Sequence, residues 1–435
     1  MVDKNQKRLK VKSQKGYVMD KYNVERQGSP EEVRMSLDEI VYNGAIEMLK
    51  KALAVEVADY LESHKVNRDK RGYALVTRNG YGKERRVTTG AGELKIRAPR
   101  VNNRQVNENG NKQRFRSNLL PPFLRRTKNM DELFPVLYLK GISTGDFEEA
   151  LEALLGKEVI GLSASNITRL KRVWEDEYEK WHKQDLSKKH YVYIWVDGIY
   201  FNVRLDSERQ CILVMMGATA DGKKELIAVE DGYRESKESW QTLLRDLKAR
   251  GLSVPPSIAT GDGALGFWAA VREEWPDIDE QRCWKHKTAN ILDKMPKSIQ
   301  SRAKSMIHDI YLAETKVSAD KAFDAFINEF EIKYKGAVSC LKKDRDALLT
   351  FYDYPAQHWI HLRTTNPIES TFATVRLRTK KTKGCGSRIA TLTMVFKLVQ
   401  SAQKRWQRLR SKNLIIKVLE GIKFEDGIIV KEDAA

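Results

Sequence analysis

Cysteine and long apolar runs are both scarce in this sequence. The four cysteines among its 435 residues have no regular spacing, which excludes a disulfide framework and is typical of a reducing compartment. No apolar stretch reaches the roughly 20 residues that a membrane-spanning helix needs, and the first ten residues lack the apolar segment of a signal peptide. We therefore expect a soluble, cytoplasmic protein without a membrane partner.

Acidic residues are outnumbered, since 59 Asp and Glu face 78 Lys and Arg and leave a net charge of +19. The surplus is segregated, with +14 over residues 1–130, −5 over 131–370, +11 over 371–410 and −1 over the rest. A surface charged only for solubility would be more even. Two basic regions around a slightly acidic centre instead indicate a nucleic-acid enzyme, with cationic surfaces for phosphates and a carboxylate site for cations.

The chain is longer than one typical domain, and its composition changes several times. These changes predict seven segments: an N-terminal helical region (1–70), a basic, β-rich DNA-binding or dimerisation region (71–130), a helix-turn-helix DNA-binding region (131–185), the first part of an α/β core (190–287), an all-α insertion (288–360), the last part of the core with basic helices (361–412) and a tail (413–435).

The basic β-rich region contains two glycine turns, Asn79-Gly80 and Gly90-Ala91-Gly92, and both predict hairpins. Aromatic residues lie among its arginines, a combination suited to a DNA backbone. The arginines that we expect at DNA are Arg71, Arg78, Arg85, Arg86, Arg97 and Arg100.

The runs GISTGDFEEALEALLG and LSASNITRL predict two helices around a short connection. In a helix-turn-helix, the early residues of the second helix reach DNA, and here these are Ser165, Asn166 and Arg169. An ordinary pair of antiparallel helices fits the spacing equally well.

The centre of the chain has the element order β-β-β-α-β-α. Strands are predicted on both sides of Asp197, at Cys211–Gly217 and Glu225–Glu230, and just before Asp262. This order is that of a ribonuclease-H-like fold, an antiparallel three-stranded sheet with a parallel extension. We expect Asp197 at the end of the first strand and Asp262 at the end of the fourth, on neighbouring strands.

Three carboxylates are candidates for two-metal phosphodiester chemistry, which needs oxygen ligands for two hard cations. Asp197 directly follows the apolar run YVYIWV, and Asp262 stands between two glycines. Glu369 follows Asn366-Pro367 in the first turn of a predicted helix, where a role in capping that helix would also explain it. We expect the nearby acids Asp206, Asp231 and Glu235 to be solvated.

Cys283-x-x-His286 follows the second aspartate by about twenty residues. As a zinc site it would need two further ligands, and no second ligand pair lies nearby in the sequence. Support of the active site from a short strand is the favoured interpretation. The polar and basic residues around Glu369 that we expect to contact DNA are Arg363, Asn366, Arg376, Arg378, Lys380, Lys381 and Lys383.

Taken together, these motifs resemble the Mutator-like transposases, specifically the bacterial insertion sequence 256 family. The resemblance runs from about Arg71 to Arg410 and rests on RNGYGKERRV, GELKIRAPR, KGISTGDFEEALEALLG, LSASNITRL, VDGIYFNVR, GDGALGF, QRCWKH and RTTNPIES. Many relatives carry Ser-Asp-Ala-His around the second aspartate, where this chain has Gly-Asp-Gly-Ala.

The resemblance implies that Asp197, Asp262 and Glu369 form a DDE triad with two Mg²⁺ or Mn²⁺ ions, and that Cys283 and His286 are the family's Cys-x-x-His signature. It further implies recognition of terminal inverted repeats, action on target DNA as a homodimer, a copy-out, paste-in route through a circular intermediate, and a bacterial, nucleoid-associated protein. The alternatives are a domesticated descendant that binds DNA without cutting it, and a nuclease on the same core that cleaves without joining.

Overall fold

The computed structural model describes residues 35–107, 110–142, 146–155, 164–203, 208–263, 266–381 and 387–430. Its contacts divide the chain into two compact units, Met1–Thr127 and Lys128–Ala435. Within the described ranges, no helix has the length and apolar character to cross a bilayer.

The first unit contains one long helix and four short strands. They are α1 (Leu37–Ser63), β1 (Val76–Tyr81), β2 (Arg85–Thr89), β3 (Gly92–Ile96) and β4 (Pro99–Asn103). Ser36 caps α1 through a reciprocal pair of hydrogen bonds with Glu39, which stabilises the first turn. The helix start that the sequence predicts near Ser29 lies outside the described residues.

Only one of the two predicted glycine turns forms a hairpin. Strands β2 and β3 pair antiparallel around Gly90-Ala91, as predicted. Asn79-Gly80 instead lies inside β1, which pairs with β4 rather than with β2. Gly80 has a φ of 61°, and the pairing register shifts between Arg78 and Tyr81, so the positive-φ glycine produces a bulge where we expected a turn.

The second unit begins with three helices: α2 (Lys128–Leu139), α3 (Phe147–Leu155) and α4 (Ala164–His182). Helices α3 and α4 are the two that the sequence predicts. Near its end, α4 is anchored on the core because the hydroxyl of Tyr178 donates to the carbonyl of Val229 over 2.9 Å.

A five-stranded mixed sheet forms the centre of this unit and confirms the α/β core. Its elements are, in chain order, β5 (Tyr191–Phe201), β6 (Gln210–Thr219), β7 (Lys224–Gly232), α5 (Lys237–Ala249), β8 (Ile258–Gly261), α6 (Phe267–Glu274) and β9 (Asp279–Arg282). The strand order across the sheet is β7-β6-β5-β8-β9. The first three strands are antiparallel, and β8 and β9 extend the sheet in parallel to β5.

Strand β5 is continuous through Asp197, whereas the sequence predicts a strand end there. Its antiparallel pairing with β6 runs on to Phe201. Its parallel pairing with the short strand β8 stops at Trp195, opposite Thr260. Asp197 therefore lies in a strand interior, but just beyond the point where β8 leaves the sheet.

Both faces of the sheet are covered. On β5, Tyr193 and Trp195 pack into the larger core with helices from the carboxyl-terminal part of the chain. Ile194 and Val196 pack on the opposite face with residues of α5 and α6. Because side chains alternate along a strand, Asp197 shares the face of Trp195.

Residues 288–360, all of which the structure describes, contain helices and no strand, as predicted. The elements from β9 to the end of the described chain are α7 (Trp284–Leu292), α8 (Lys297–Tyr311), α9 (Lys316–Phe330), α10 (Lys335–Lys342), α11 (Arg345–Leu349), two 3₁₀ turns (Thr350–Asp353 and Ala356–His358), α12 (Trp359–Leu362), α13 (Asn366–Lys381), α14 (Arg388–Gln403), α15 (Lys412–Leu419), β10 (Phe424–Glu425) and β11 (Ile428–Ile429).

Helix α14 ends at Gln403. The described part of the predicted tail contains most of α15 and the β10–β11 hairpin, and it docks on the core through backbone hydrogen bonds of Gly427 with Tyr352 and Ala356.

Candidate active site

Parallel pairing of β5 and β8 brings the two aspartates together. Trp195 faces Thr260 in the register, and Asp197 and Asp262 each lie two residues further along. The two carboxylates therefore leave neighbouring strands at the same edge and on the same face. Asp197 is only 7% exposed, and one of its oxygens accepts a hydrogen bond of 2.9 Å from the Gly198 amide.

The backbone of Asp262 is held from two sides. The indole nitrogen of Trp268 donates to the Asp262 carbonyl over 2.6 Å, and the amide of Cys283 donates to the carbonyl of Gly261 over 2.8 Å. Trp268 is itself covered by the guanidinium of Arg282, 3.8 Å from its ring centroid. These contacts fix the turn that carries the second carboxylate.

The segment before α13 is bound to the sheet through three successive carbonyl groups. The Trp195 indole donates to the carbonyl of His361 over 2.8 Å, and the Thr260 hydroxyl donates to that of Leu362 over 2.9 Å. The amide of Trp284 donates to the carbonyl of Arg363 over 2.9 Å. Because Trp195 and Thr260 precede the aspartates by two residues, this segment delivers α13 to the same edge of the sheet.

Glu369 lies in the first turn of α13 and is almost buried, with 12% of its side chain exposed. One oxygen accepts a hydrogen bond of 3.0 Å from the hydroxyl of Thr365, and the other pairs with the ammonium of Lys285. The predicted position of the helix start is off by one residue, because Asn366 is already the first helical residue and the Thr365 carbonyl accepts from the Glu369 amide.

Cys283 is connected to Glu369 through Thr365, and His286 lies beside Glu369 itself. The Cys283 sulfur accepts from the Thr365 amide over 3.3 Å and lies 3.4 Å from the Thr365 hydroxyl, the group that donates to Glu369. His286 places Nε2 at 4.0 Å from a Glu369 oxygen. Cys283 lies at the amino-terminal end of α7, immediately after β9, and His286 lies in the first turn of α7, so neither is on the short strand from which we expected the support.

Electrostatics link these groups to the aspartates. The pKa of Asp197 is raised to about 6, mainly by burial and in smaller part by the charges of Glu235 and Asp262, against the opposing effects of His286 and the Gly198 amide. Burial also raises the pKa of Glu235, the charge of Asp262 adds to this rise, and His286 opposes it.

Glu235 is the site residue that sequence reasoning missed. We expected it to be solvated, but its side chain is only partly exposed and lies against the backbone of Gly198, next to Asp197. Any side chain at position 198 would overlap the Glu235 carboxylate. The glycine that directly follows Asp197 is the one sequence signal of such a close approach.

The donors at this edge of the sheet fit a hard divalent cation. Asp197, Asp262 and Glu369 offer carboxylate oxygens, the ligands that Mg²⁺ prefers, and the mutual repulsion of Asp197 and Asp262 is what a cation relieves. Ligand atoms of Cys283, His286 and Glu369 also lie within 4.8 Å of one another. The oxygens of Asp197, Asp262 and Glu369 do not form a cluster this tight among the described residues, whereas the sulfur of the second set is engaged with Thr365.

The residues predicted to contact DNA fall into three groups. Those with exposed side chains are Arg71, Arg78, Arg86, Arg97, Arg100, Arg169, Asn366 and Arg376. Those engaged inside the protein are Arg85, which donates to the carbonyls of Leu120, Pro121 and Leu124, Arg363, which donates to those of Trp359 and Tyr311, and Arg378, which is buried over the Tyr138 ring. The side chains of Ser165, Asn166, Lys380, Lys381 and Lys383 lie outside the described part of the chain.

Comparison with known proteins identifies the family of the chain. The family model "Transposase, Mutator family" matches residues 18–409. The chain is 55% identical over 302 residues to the transposase for insertion sequence element IS6120 of Mycolicibacterium smegmatis, covering 69% of this chain and 93% of that protein. It is 49% identical over 281 residues to the transposase for IST2 of Acidithiobacillus ferrooxidans, covering 65% and 95%. The transposase for IS256 of Staphylococcus aureus is 28% identical over 308 residues, covering 70% and 75%.

Proposed function

The chain belongs to the Mutator family of transposases, and from this membership we propose that it cuts and joins DNA at the ends of an insertion sequence by metal-dependent phosphodiester chemistry. The observation that carries the proposal is the placement of Asp197 and Asp262 on neighbouring parallel strands, beside the helix of Glu369. The names of the relatives, transposases for insertion sequence elements, support this substrate class.

The core is proposed to be of the ribonuclease-H-like type. Three antiparallel strands, followed by two parallel strands on the other side of β5, support this assignment. The two aspartates lie on β5 and directly after β8, the central pair of the sheet. The third carboxylate comes from a helix after the all-α insertion, so the chain returns to the core to complete the site.

Asp197, Asp262 and Glu369 are proposed to be the catalytic carboxylates and to hold two Mg²⁺ or Mn²⁺ ions. Bound there, the ions would supply the activated attacking group and stabilise the leaving oxygen. The protein's own contribution is positioning: the strands fix both aspartates, and the three carbonyl contacts before α13 fix Glu369. Lys285 must release its oxygen of Glu369 before that oxygen can bind a cation.

Cys283 and His286 are proposed to be positioning residues of the same site. Cys283 orients Thr365, and the hydroxyl of Thr365 donates a hydrogen bond to one oxygen of Glu369. This hydrogen bond to Glu369 also determines which lone pairs of the carboxylate point away from Thr365. His286 places its imidazole beside Glu369, where a proton on the ring would offset the negative charge of the carboxylates. This role explains a Cys-x-x-His pair without a zinc ion.

DNA binding is proposed for the exposed residues that the sequence predicts at DNA, with α3 and α4 as a helix-turn-helix. They are Arg71, Arg78, Arg86, Arg97, Arg100, Arg169, Asn366 and Arg376. The segregated charge of the sequence supports this assignment. Recognition of terminal inverted repeats, a homodimer and the copy-out, paste-in route through a circle follow from the family resemblance and are part of the same proposal.

The test is a cleavage and joining assay on DNA that carries the element's ends, with Mg²⁺ and a target DNA. Wild-type protein is expected to nick at the ends and to join them, while Asp262→Asn loses both activities by at least about a hundredfold, an effect of the size seen for removal of one active-site stabilising group. DNA binding by this variant, measured by gel shift, stays within about twofold of wild type. Cleavage without joining would instead favour a nuclease, and binding without cleavage by wild type would favour a domesticated DNA-binding protein.

A further inference from the structure

A second site, which is basic, lies at the end of the central sheet opposite to the carboxylates. A cavity of about 650 Å³ opens between the end of α4, the β6–β7 turn and the end of α14. The cavity residue Lys224 pairs with Ala218 on β6. The next residue of β6, Thr219, pairs with Tyr191 at the start of β5. Asp197 lies six residues along β5 from Tyr191, which is roughly 20 Å at the rise of a strand. The cavity is therefore separate from the carboxylate site.

The lining of this cavity is strongly cationic. Its charged residues are Lys189, Lys223, Lys224, Lys404 and Arg408 against the single acid Glu225. Glu225 is already saturated, because Lys189 and Lys223 donate to its two oxygens over 2.6 and 2.9 Å. Arg408 also pairs with Asp221, which lies outside the lining, over 3.6 Å. Three positive charges are left in excess, which suits an anionic ligand.

Lys224 carries the argument furthest because it is buried without an anion. Only 9% of it is exposed, and its ammonium has no hydrogen bond or ion pair with any residue that the structure describes. Its nearest recorded partner is the Trp195 ring, 5.8 Å away. A buried ammonium without an anion is costly, and one that lines a cavity is placed to bind an anion inside it.

Besides its cations, the cavity is lined by two tryptophan rings and by an amide side chain that can donate a hydrogen bond. The ring of Trp406 is held by a hydrogen bond of 3.3 Å from its indole to the Thr371 hydroxyl, and Trp181 packs on Phe396 with centroids 4.8 Å apart. Gln403 accepts from the Leu226 amide with its oxygen, which leaves its NH₂ group as a donor. Fixed aromatic faces beside cations are the combination that binds a base and its phosphate.

We propose that this cavity binds a nucleoside phosphate, with the phosphate on Lys224 and Lys404 and the base against Trp181 or Trp406. Its volume lies within the range of small-molecule sites. The ligand is either one nucleotide unit of a DNA strand or a free nucleotide, since both present the same chemistry. The site goes beyond the proposed cleavage and joining, and its failure would leave that activity untouched.

The test uses the full-length protein, tryptophan fluorescence and two probes, dAMP and a single-stranded ten-nucleotide oligomer, each titrated at moderate salt. Wild type is expected to bind at least one probe with quenched fluorescence, and inorganic phosphate is expected to compete. Lys224→Met should weaken that binding at least tenfold and Lys404→Gln several-fold. Lys304→Met, an exposed lysine on α8 away from the cavity, is the matched control and should bind as wild type does.

The two probes separate the sources of the ligand. If the variants bind dAMP more weakly than wild type does, the ligand is a free nucleotide. If they bind only the oligomer more weakly, the ligand is a nucleotide unit of a DNA strand. The proposal is overturned if neither probe responds to Lys224→Met or Lys404→Gln in variants that melt within a few degrees of wild type. Lys404 is exposed, so its variant keeps the test valid if replacement of the buried Lys224 unfolds the protein.

Discussion

We expect Glu235 to act on the proposed active centre through its charge. It lies against Gly198 beside Asp197, and Asp262 and His286 are within electrostatic reach. Glu235→Gln keeps the shape and removes the charge, so the site should attract cations less strongly. We expect the Mg²⁺ concentration for half-maximal nicking to rise by roughly three- to tenfold, since a unit charge about 4 Å away contributes about 1 kcal/mol when it is screened as in bulk water.

The matched control is Glu238→Gln, three residues further on at the exposed start of α5. Its Mg²⁺ dependence should equal that of wild type. If Glu235→Gln also leaves the Mg²⁺ dependence unchanged and only lowers the melting temperature, then Glu235 is a packing residue and not part of the electrostatics of the site.

His361 predicts a pH dependence of stability. Its pKa is lowered to about 4, mainly by burial and in smaller part by the positive charges of Lys224, His358 and Arg410. In the unfolded chain a histidine titrates near about 6.5. A lowered pKa in the folded state means that the folded protein resists protonation, so His361 reduces stability as the pH falls from about 6.5 towards 4 and has no effect above that range.

Replacing His361 with leucine should flatten this acid-side loss. We expect the urea midpoint of the variant to fall less between pH 7 and pH 5 than that of wild type. His358 also has a lowered pKa from burial, so part of the slope persists. The exposed His190 provides the control, and His190→Gln should keep the wild-type slope. An equal slope in His361→Leu would refute this account.

At the scale of elements, the position of α13 depends on the backbone contacts that precede it. Thr260→Val removes the hydroxyl that bonds to the Leu362 carbonyl with little change of shape. A buried carbonyl left without its partner costs about 1–3 kcal/mol. We expect that loss in the free energy of unfolding, and with it a several-fold slower nicking rate, since Glu369 is then held less firmly.

Thr393→Val is the control for this substitution. Its hydroxyl is also buried, but it bonds to the Ile389 carbonyl within α14, away from the carboxylates. The control should lose stability without a comparable loss of nicking at saturating Mg²⁺. Equal effects of the two variants on nicking would show that Thr260 acts only through stability.

Several elements could be predicted from the sequence because their signals are local. The apolar run before Asp197, the alternation of strands and helices, and the helical texture of residues 288–360 predict the α/β core with its helical insertion. The order of strands then predicts that Asp197 and Asp262 are neighbours. Asn79-Gly80 was misjudged because a positive-φ glycine serves a bulge as well as a turn, and only the pairing partner decides between them.

The remaining features of the site depend on contacts between distant segments. In the sequence, Glu235 has the pattern of a solvated loop residue, because only the fold brings Gly198 of β5 against it. The path from Cys283 through Thr365 to Glu369 joins residues 82 positions apart. Such contacts leave no periodic pattern in the sequence, so the local reading could name Cys283 and His286 but not say how they act.

At the scale of the whole molecule, charge is divided between regions with different tasks. Arg97 and Arg100 are exposed in the first unit, which is the more basic one. If each contacts a DNA phosphate, replacing both with glutamine should make the slope of log affinity against log salt shallower by about 1.8, or roughly 0.9 for each contact. Lys65→Gln, an exposed lysine paired with Glu62, is the control. An unchanged slope in the double variant would exclude these two contacts.

Direct binding of the cation by the carboxylates is the central claim, and a change of metal preference tests it most directly. Cysteine in place of Asp262 offers a soft thiolate, which binds Mg²⁺ poorly and binds softer divalent cations better. We predict that Asp262→Cys loses nicking in Mg²⁺ and recovers at least about tenfold in Mn²⁺ or Cd²⁺, while Asp262→Asn recovers much less. Nicking by Asp262→Cys in Mg²⁺ at the wild-type rate, or wild-type nicking in the presence of a chelator, would contradict the account.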